Sequence, residues 1–253
     1  MIAQAGNQGP ILEARHLSMH FGGVQALHNI DFTVGRGEIL GLIGPNGSGK
    51  TTLVNCIAGE LRPTSGTVIL QGEDVTGAPA HRMARRGTAR TFQRLRIFGS
   101  LSVRENMWLA RQWEGVGVRG LFRAVDRATR ERADQIIELV KLAYLADMPS
   151  ATLSGGQRRL LEFGMAVMPR PAVVILDEAT SGVHPTVIAA LEEHIRQLNQ
   201  DEGVSFLLIE HNVEFIMRMC DRVVVFHHGE ELAVGTPKQV RANREVVDAY
   251  FGA

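Results

Sequence analysis

The chain has little cysteine, no excess of either charge and no long apolar run. Its two cysteines, Cys56 and Cys220, lie far apart in 253 residues and match no metal-binding or redox spacing. They read as reduced, buried thiols, which argues against a disulfide-stapled secreted protein. Lys plus Arg and Asp plus Glu balance at 27 each, so no net field draws the molecule to nucleic acid. No apolar stretch approaches the ~18–20 residues that span a bilayer. The start, Met1-Ile2-Ala3-Gln4-Ala5-Gly6, lacks the basic and apolar regions of a signal peptide. Internal repeats and low-complexity tracts are missing too. What is left, 45% apolar and 21% charged, has the balance of a soluble globular protein. The expected location is cytoplasmic, peripheral on the inner face of the cell membrane, with partner subunits holding it there.

Along the chain, residues 1–10 read as a frayed leader. Short β-type stretches then alternate with turns: Ile11–Met19, Asp31–Val34, Ile39–Ile43 and Thr67–Leu70. From about Val103 to Leu160 no strand is expected. A helix is predicted over Ala133–Tyr144, with Ala133, Ile136, Ile137, Val140 and Ala143 or Tyr144 on one stripe. Before it, Arg111–Arg130 is rich in Gly and Arg and reads as an exposed insertion. Beyond Pro171 come a strand (Ala172–Leu176), a helix (Val187–Leu198) and two strands (Val204–Ile209, Arg222–Phe226). This alternation implies an α/β fold with a mainly parallel sheet and helices on both faces.

The chemistry starts at Gly44-Pro45-Asn46-Gly47-Ser48-Gly49-Lys50-Thr51, of the form G-x-x-x-x-G-K-[ST]. It follows a predicted buried strand and precedes a helical run from Thr52, the context that makes the pattern a physical site. Backbone N–H groups turned inward by the glycines ring a phosphate, and a helix N-terminus adds positive partial charge. Lys50 would bridge the outer phosphates and the Thr51 hydroxyl would hold Mg²⁺, so a nucleoside triphosphate is the expected ligand. Val173–Leu176 followed by Asp177 and Glu178 supplies the remaining needs of a phosphoanhydride hydrolase. Asp177 serves the Mg²⁺ shell, and Glu178 takes a proton from attacking water.

Leu153-Ser154-Gly155-Gly156-Gln157 lies ahead of that strand, with Gln93 upstream and His211 downstream. Alone, Ser154 could be an ordinary helix cap. In this order the motifs resemble the ATP-binding cassette of ABC transporters, over Leu12 to Gly252. The resemblance implies a P-loop NTPase (RecA-like), mainly parallel core with an antiparallel β-subdomain, together 11–92 and 161–253, and a helical subdomain at about 93–160. It makes Gly44–Thr51 the Walker A, Gln93 the Q-loop glutamine and a further Mg²⁺ contact, Leu153–Gln157 the signature, Val173–Glu178 the Walker B and His211 the switch histidine. By the same likeness Phe21 stacks on adenine. Two cassettes pair head to tail, each signature closing on the other's ATP. The partners implied are a second ABC ATPase subunit, two transmembrane permease subunits and, indirectly, a periplasmic solute-binding protein, with no nucleic acid.

Phe21-Gly22-Gly23, Arg90-Thr91-Phe92-Gln93, the Arg111–Arg130 insertion and the tail Val246–Gly252 resemble the ATPase subunits of branched-chain amino acid importers. That group also includes urea and short-amide importer subunits and, without the insertion, lipopolysaccharide-export ATPases. The segment from Arg94 to Phe98 and Leu101 to Asn106 looks like the cradle of a permease's coupling helix. Three features depart from the pattern: Ala179 stands where proline is usual, His184 where Asp or Asn is usual, and the Leu-Ser-Gly-Gly form differs from the amino acid branch. The first two bear on how two ATP sites are coupled, not on the catalytic carboxylate. A P-loop kinase would have no use for the Ser-Gly-Gly element. A chromosome or DNA-repair cassette would need a coiled coil that ~100 residues of mixed sequence do not hold. A ribosome-associated protein would carry two cassettes, and a catalytically dead cassette would not keep Lys50, Asp177, Glu178 and His211. His227-His228 reads as a turn, since neighbours in a strand face opposite ways.

Overall fold

The computed structural model describes residues 9–91, 97–111 and 125–251. Among these residues ten strands form two sheets. One is antiparallel, in the order β2-β1-β4-β5, with β1 Leu12–Phe21, β2 Val24–Val34, β4 Ser65–Leu70 and β5 Glu73–Asp74. The other runs β10-β9-β3-β8-β7-β6, with β3 Ile39–Ile43, β6 Thr88–Arg90, β7 Val173–Asp177, β8 Ser205–Ile209, β9 Arg222–His227 and β10 Glu230–Gly235. Its pairs are parallel from β6 to β9, and only the β9–β10 edge is antiparallel. The short runs Ile39–Ile43, Val173–Asp177 and Ser205–Ile209 are buried at every position, as expected of strands covered on both faces.

Strict alternation along these strands divides the interior into two cores. Ile39, Ile43, Val174, Leu176, Phe206, Leu208, Val223 and Val225 face one way. They meet helices α4 Arg127–Leu139, α5 Gly155–Val167, α6 Pro185–Glu202 and α7 Val213–Met219. Leu40, Leu42, Val173, Ile175, Leu207, Ile209, Val224 and Phe226 face the other, against α1 Lys50–Ile57 and the antiparallel sheet. Phe206 and Phe226 are fully buried on opposite faces, each worth about 1.5–3 kcal/mol of transfer free energy. Parallel strands and sheet order put the C-terminal ends of β3, β8, β7 and β6 along one edge, where open α/β sheets bind ligands.

Several expected boundaries shift. β2 begins at Val24 rather than Asp31. The predicted 133–144 helix runs from Arg127 to Leu139, opened by the Asp126 side chain accepting from Thr129 N–H. It therefore takes in part of the expected insertion, of which 112–124 lie outside the described residues. Lys141, with φ 58°, turns the chain out of the helix. Tyr144 consequently sits on a 3₁₀ turn and is 74% exposed, not on the buried stripe. Between Val103 and Leu160 the described residues hold no strand, only an isolated bridge from Ser102 to Pro149. Several other elements had no expectation attached, among them β5, β6, β10, α7 and the short helix α2 Ala80–Arg85. Helix α3 spans Val103–Leu109.

Two glycines allow a direct test of packing. A Cβ on Gly41 would lie 2.7 Å from Ile216 Cγ2 and 3.0 Å from Cys220 Sγ, both anchored in the core. Gly41→Ala is expected to cost about 1–3 kcal/mol in chemical denaturation. A Cβ on Gly164 meets first the terminal methyl of Met107, a side chain that can move. Gly164→Ala should cost less, because its gain of up to ~1 kcal/mol in helix propensity offsets the crowding.

Candidate active site

The Gly44–Thr51 loop leaves β3 and enters α1. Gly49 is the helix N-cap with φ 100°, and a Cβ there would strike the Ala26 carbonyl oxygen at 2.7 Å. Only glycine meets both demands. Having no side chain, Gly49 leaves the first-turn N–H groups of α1 uncapped, as an anion site requires. The loop is tied to its neighbours: Gly229 N–H donates to the Ser48 carbonyl at 3.0 Å, and His28 N–H to the Gly229 carbonyl at 2.9 Å. His228, at φ 49°, makes the turn that presents Gly229 there. The two histidine rings, 227 and 228, meet edge-on at 4.1 Å.

Inside the loop Lys50 is 7% exposed, its ammonium donating to the carbonyls of Gly44 at 2.7 Å and Pro45 at 2.9 Å. Burial pushes its pKa down, while the Glu178 and Asp177 carboxylates pull it back up. The opposing effects place all three groups in one field. The Ser48 hydroxyl is buried with no hydrogen-bond partner, an orphan of the kind a bound phosphate satisfies. Pro45 and Thr52 are half-buried, while Asn46, Gly47 and Thr51 are exposed, so the Thr51 hydroxyl is open to a ligand.

Asp177 ends β7 and Glu178 follows with φ 52°, unusual for a non-glycine residue. Its N–H still donates to the Ile209 carbonyl at 2.8 Å, one step past the last β7–β8 pair. His211, beyond the end of β8, thereby reaches it: Nε2 lies 3.1 Å from Glu178 Oε1. Lys50, Asp177, Glu178 and His211 thus gather at one sheet edge from three strands.

Phe21, at the tip of the β1–β2 hairpin, is 47% exposed rather than packed into the β-layer. It pairs with Val24, two residues before the Ala26 that touches Gly49. The signature stands apart. Ser154 caps α5 in a capping box with Gln157, and Gln157 Nε2 donates to the Tyr144 hydroxyl at 3.0 Å. Ser154 and Gly155 are exposed, while Gly156 packs against Val187 at the start of α6. In the single chain the hydrogen bonds of Ser154 and Gln157 are therefore local. Gln93 lies outside the described residues.

One substitution for the expected residue type is chemically conservative. At position 184 the imidazole Nδ1 accepts from Thr186 N–H at 3.4 Å and contacts its hydroxyl at 3.0 Å, capping α6 as Asp or Asn would. Pro185 fills the first helical position.

Sequence reasoning assigned no role to Arg90. Its side chain is 9% exposed, and Nη2 donates to Asp177 Oδ2 at 2.8 Å. Nη1 donates to Asn55 Oδ1 at 2.8 Å and lies 3.3 Å from Glu60 Oε1. Arg90 therefore fastens the Walker B carboxylate to the far end of α1. No local pattern marked it, since β6, which Arg90 ends, has three residues.

Comparison with known proteins agrees with this geometry. A family model described as "ABC transporter" matches residues 27–181. The chain is 38% identical over 250 residues to the high-affinity branched-chain amino acid transport ATP-binding protein BraF of Pseudomonas aeruginosa, covering 96% of this chain and 98% of that one. It is 36% identical over 250 residues to LivG of Escherichia coli, with the same coverage. The ADP conformation of MJ1267, an ATP-binding cassette of an ABC transporter, superposes with a TM-score of 0.86 at 31% identity, over 97% of this chain and 100% of that one. The chain belongs to the ATP-binding cassette family, the ATP-hydrolysing components of ABC transporters. Within it, residues 230–253 match the model described as "Branched-chain amino acid ATP-binding cassette transporter", which fixes the branch.

The Arg90–Asp177 contact is testable by a double-mutant cycle. Arg90→Ala leaves a largely buried carboxylate without its cation and is expected to cost about 3–5 kcal/mol in denaturant unfolding. Arg90→Ala with Asp177→Asn should cost clearly less than the two single changes added together.

Proposed function

We propose that this chain is the ATPase subunit of an importer for branched-chain or hydrophobic amino acids, working through two permease subunits. The observation that carries it is the match of residues 230–253 to the branched-chain cassette model, beside whole-length similarity to BraF and LivG. A urea or short-amide importer is the alternative within the same ATPase role. Among the described residues no helix is long and apolar enough to cross a membrane. A groove of about 440 Å³ lined by Ala84, Arg90, Ala110, Arg111, Met165 and Pro169 offers a place for a permease helix. Phe98, in the segment likened to a permease cradle, is 55% exposed.

In this reading Phe21 stacks on adenine, Gly44–Thr52 cradles the phosphates and Lys50 exchanges its carbonyl partners for phosphoryl oxygens. Glu178 holds the attacking water and accepts its proton, while His211, already beside Glu178, donates to the γ-phosphate. Thr51, Asp177 and Gln93 would hold Mg²⁺. A hydroxyl, a carboxylate and substrate phosphates suit that hard cation, which would shield phosphoryl charge. Ser154, Gly155, Gly156 and Gln157 meet the triphosphate of a second cassette. The exposure of Ser154 and Gly155, and the local bonds of Ser154 and Gln157, support a role completed only on pairing.

Glu178→Gln is expected to lower turnover by about 10²–10⁴-fold while leaving ATP binding intact and trapping the ATP-bound dimer. Undiminished hydrolysis would remove Glu178 as the base. Phe21→Ala should weaken nucleotide affinity about two- to tenfold, for a stacking contribution of about 0.5–1.5 kcal/mol, with little change in kcat. The cargo is decided by co-purification with the permeases and uptake assays with leucine, urea and acetamide; uptake of urea alone would overturn the amino acid assignment.

A further inference from the structure

A buried carboxylate that the mechanism leaves unused lies one residue before His211. Glu210 is 3% exposed, and both of its oxygens are taken by Thr180. Oε1 accepts from the Thr180 backbone N–H at 2.8 Å, and Oε2 accepts from its hydroxyl at 2.6 Å. Thr180 is itself 7% exposed and stands two residues after Glu178. The contact continues the β7–β8 ladder past its last backbone bond, where the two chains would otherwise diverge.

Between these ties sits Glu178 with φ 52°. Such a conformation is strained for a residue with a side chain and persists only where the surroundings over-determine it. The surroundings do so: the Glu178 carbonyl accepts from Ser181 N–H at 3.2 Å and from Arg159 Nη2 at 3.3 Å. Arg159, in the first half of α5, is 7% exposed and also donates to Glu162 at 2.9 Å. Burial pushes the Glu210 carboxyl up, while Thr180 and Arg159 draw it down. Placing a carboxylate here is costly unless its hydrogen bonds are made, and both oxygens bond Thr180, two residues after the base.

We propose that Glu210, acting through Thr180, is a positioning residue that fixes the Glu178 carboxylate against His211. The proposal rests on the Glu178–His211 assignment made under Proposed function. Released from Thr180, the segment after β7 can relax from its strained turn, and Glu178 leaves its place 3.1 Å from His211 Nε2. A misplacement of about 1 Å can cost on the order of 10²-fold in rate.

The test is steady-state ATP hydrolysis and equilibrium ATP binding by the full-length chain. Glu210→Leu removes both acceptors and should lower kcat about 10–100-fold with the Kd for ATP unchanged. Glu210→Gln keeps the volume and both contacts, since the Thr180 hydroxyl can turn to accept, and should stay within a few-fold of the parent. Thr180→Val keeps the backbone bond and loses the other, so kcat should fall several-fold and recover in Thr180→Ser. This second pair decides the matter where Glu210→Leu does not fold. An unchanged kcat in Thr180→Val or in folded Glu210→Leu overturns the proposal, as does a parallel loss of ATP binding and kcat, which a purely structural role gives. Glu178→Gln and His211→Ala are measured alongside. Their retaining turnover would sink the underlying site assignment, whereas their losing it while Glu210→Leu does not sinks the positioning role alone.

Discussion

The hydrogen bond from Glu178 N–H to the Ile209 carbonyl, one step past the strands, is the contact on which the site depends. Parallel pairing sets β7 and β8 in a register that ends at Asp177 opposite Ile209. Glu178 and His211 come from the residues just beyond these two strands. A slip of one position would exchange the sets that face the two cores along β7, because side chains alternate with period two. Both faces of that strand are packed, so the register is held by two apolar cores at once. The precision of the edge follows from the packing beneath it.

The same edge shows how charges are kept under cover. Lys50 is satisfied by two carbonyls of its own loop, and Asp177 by Arg90. Each of these bonds involves a charged group, a class of hydrogen bond that contributes about 1.5–3 kcal/mol. The loop is therefore a formed cradle rather than one that collapses around its ligand. Ordering entropy that would otherwise oppose nucleotide binding has been met during folding.

Much of this was legible in the sequence, and the exceptions have physical causes. Ile39–Ile43 was readable to the residue because an apolar run lies between a turn and a glycine loop. β2 was read only in its second half, since Asn29 at φ 51° and the pairing irregularities along β1 break the alternation upstream. The helix before the signature was displaced because its first half, Arg127–Arg132, is polar, and it ends at a left-handed lysine instead of a glycine. Strand β6 has three residues, too few to show a period. The Arg90–Asp177 and Glu210–Thr180 pairs join positions 87 and 30 residues apart, beyond the reach of any local pattern. Motifs announce which residues do chemistry; what holds them becomes visible only when the sheet is assembled.

The two cysteines sit on opposite sides of the parallel sheet, Cys56 in the core under α1 and Cys220 in the core under the helices. Burial raises both thiols, Cys56 to about 11, so neither offers appreciable thiolate at neutral pH. With a β-sheet between them they cannot join as a disulfide in the native state. The fold thereby makes its own chemistry indifferent to oxidants while carrying one latent sulfhydryl reporter per layer, and alkylation of each can time the opening of its own half of the interior.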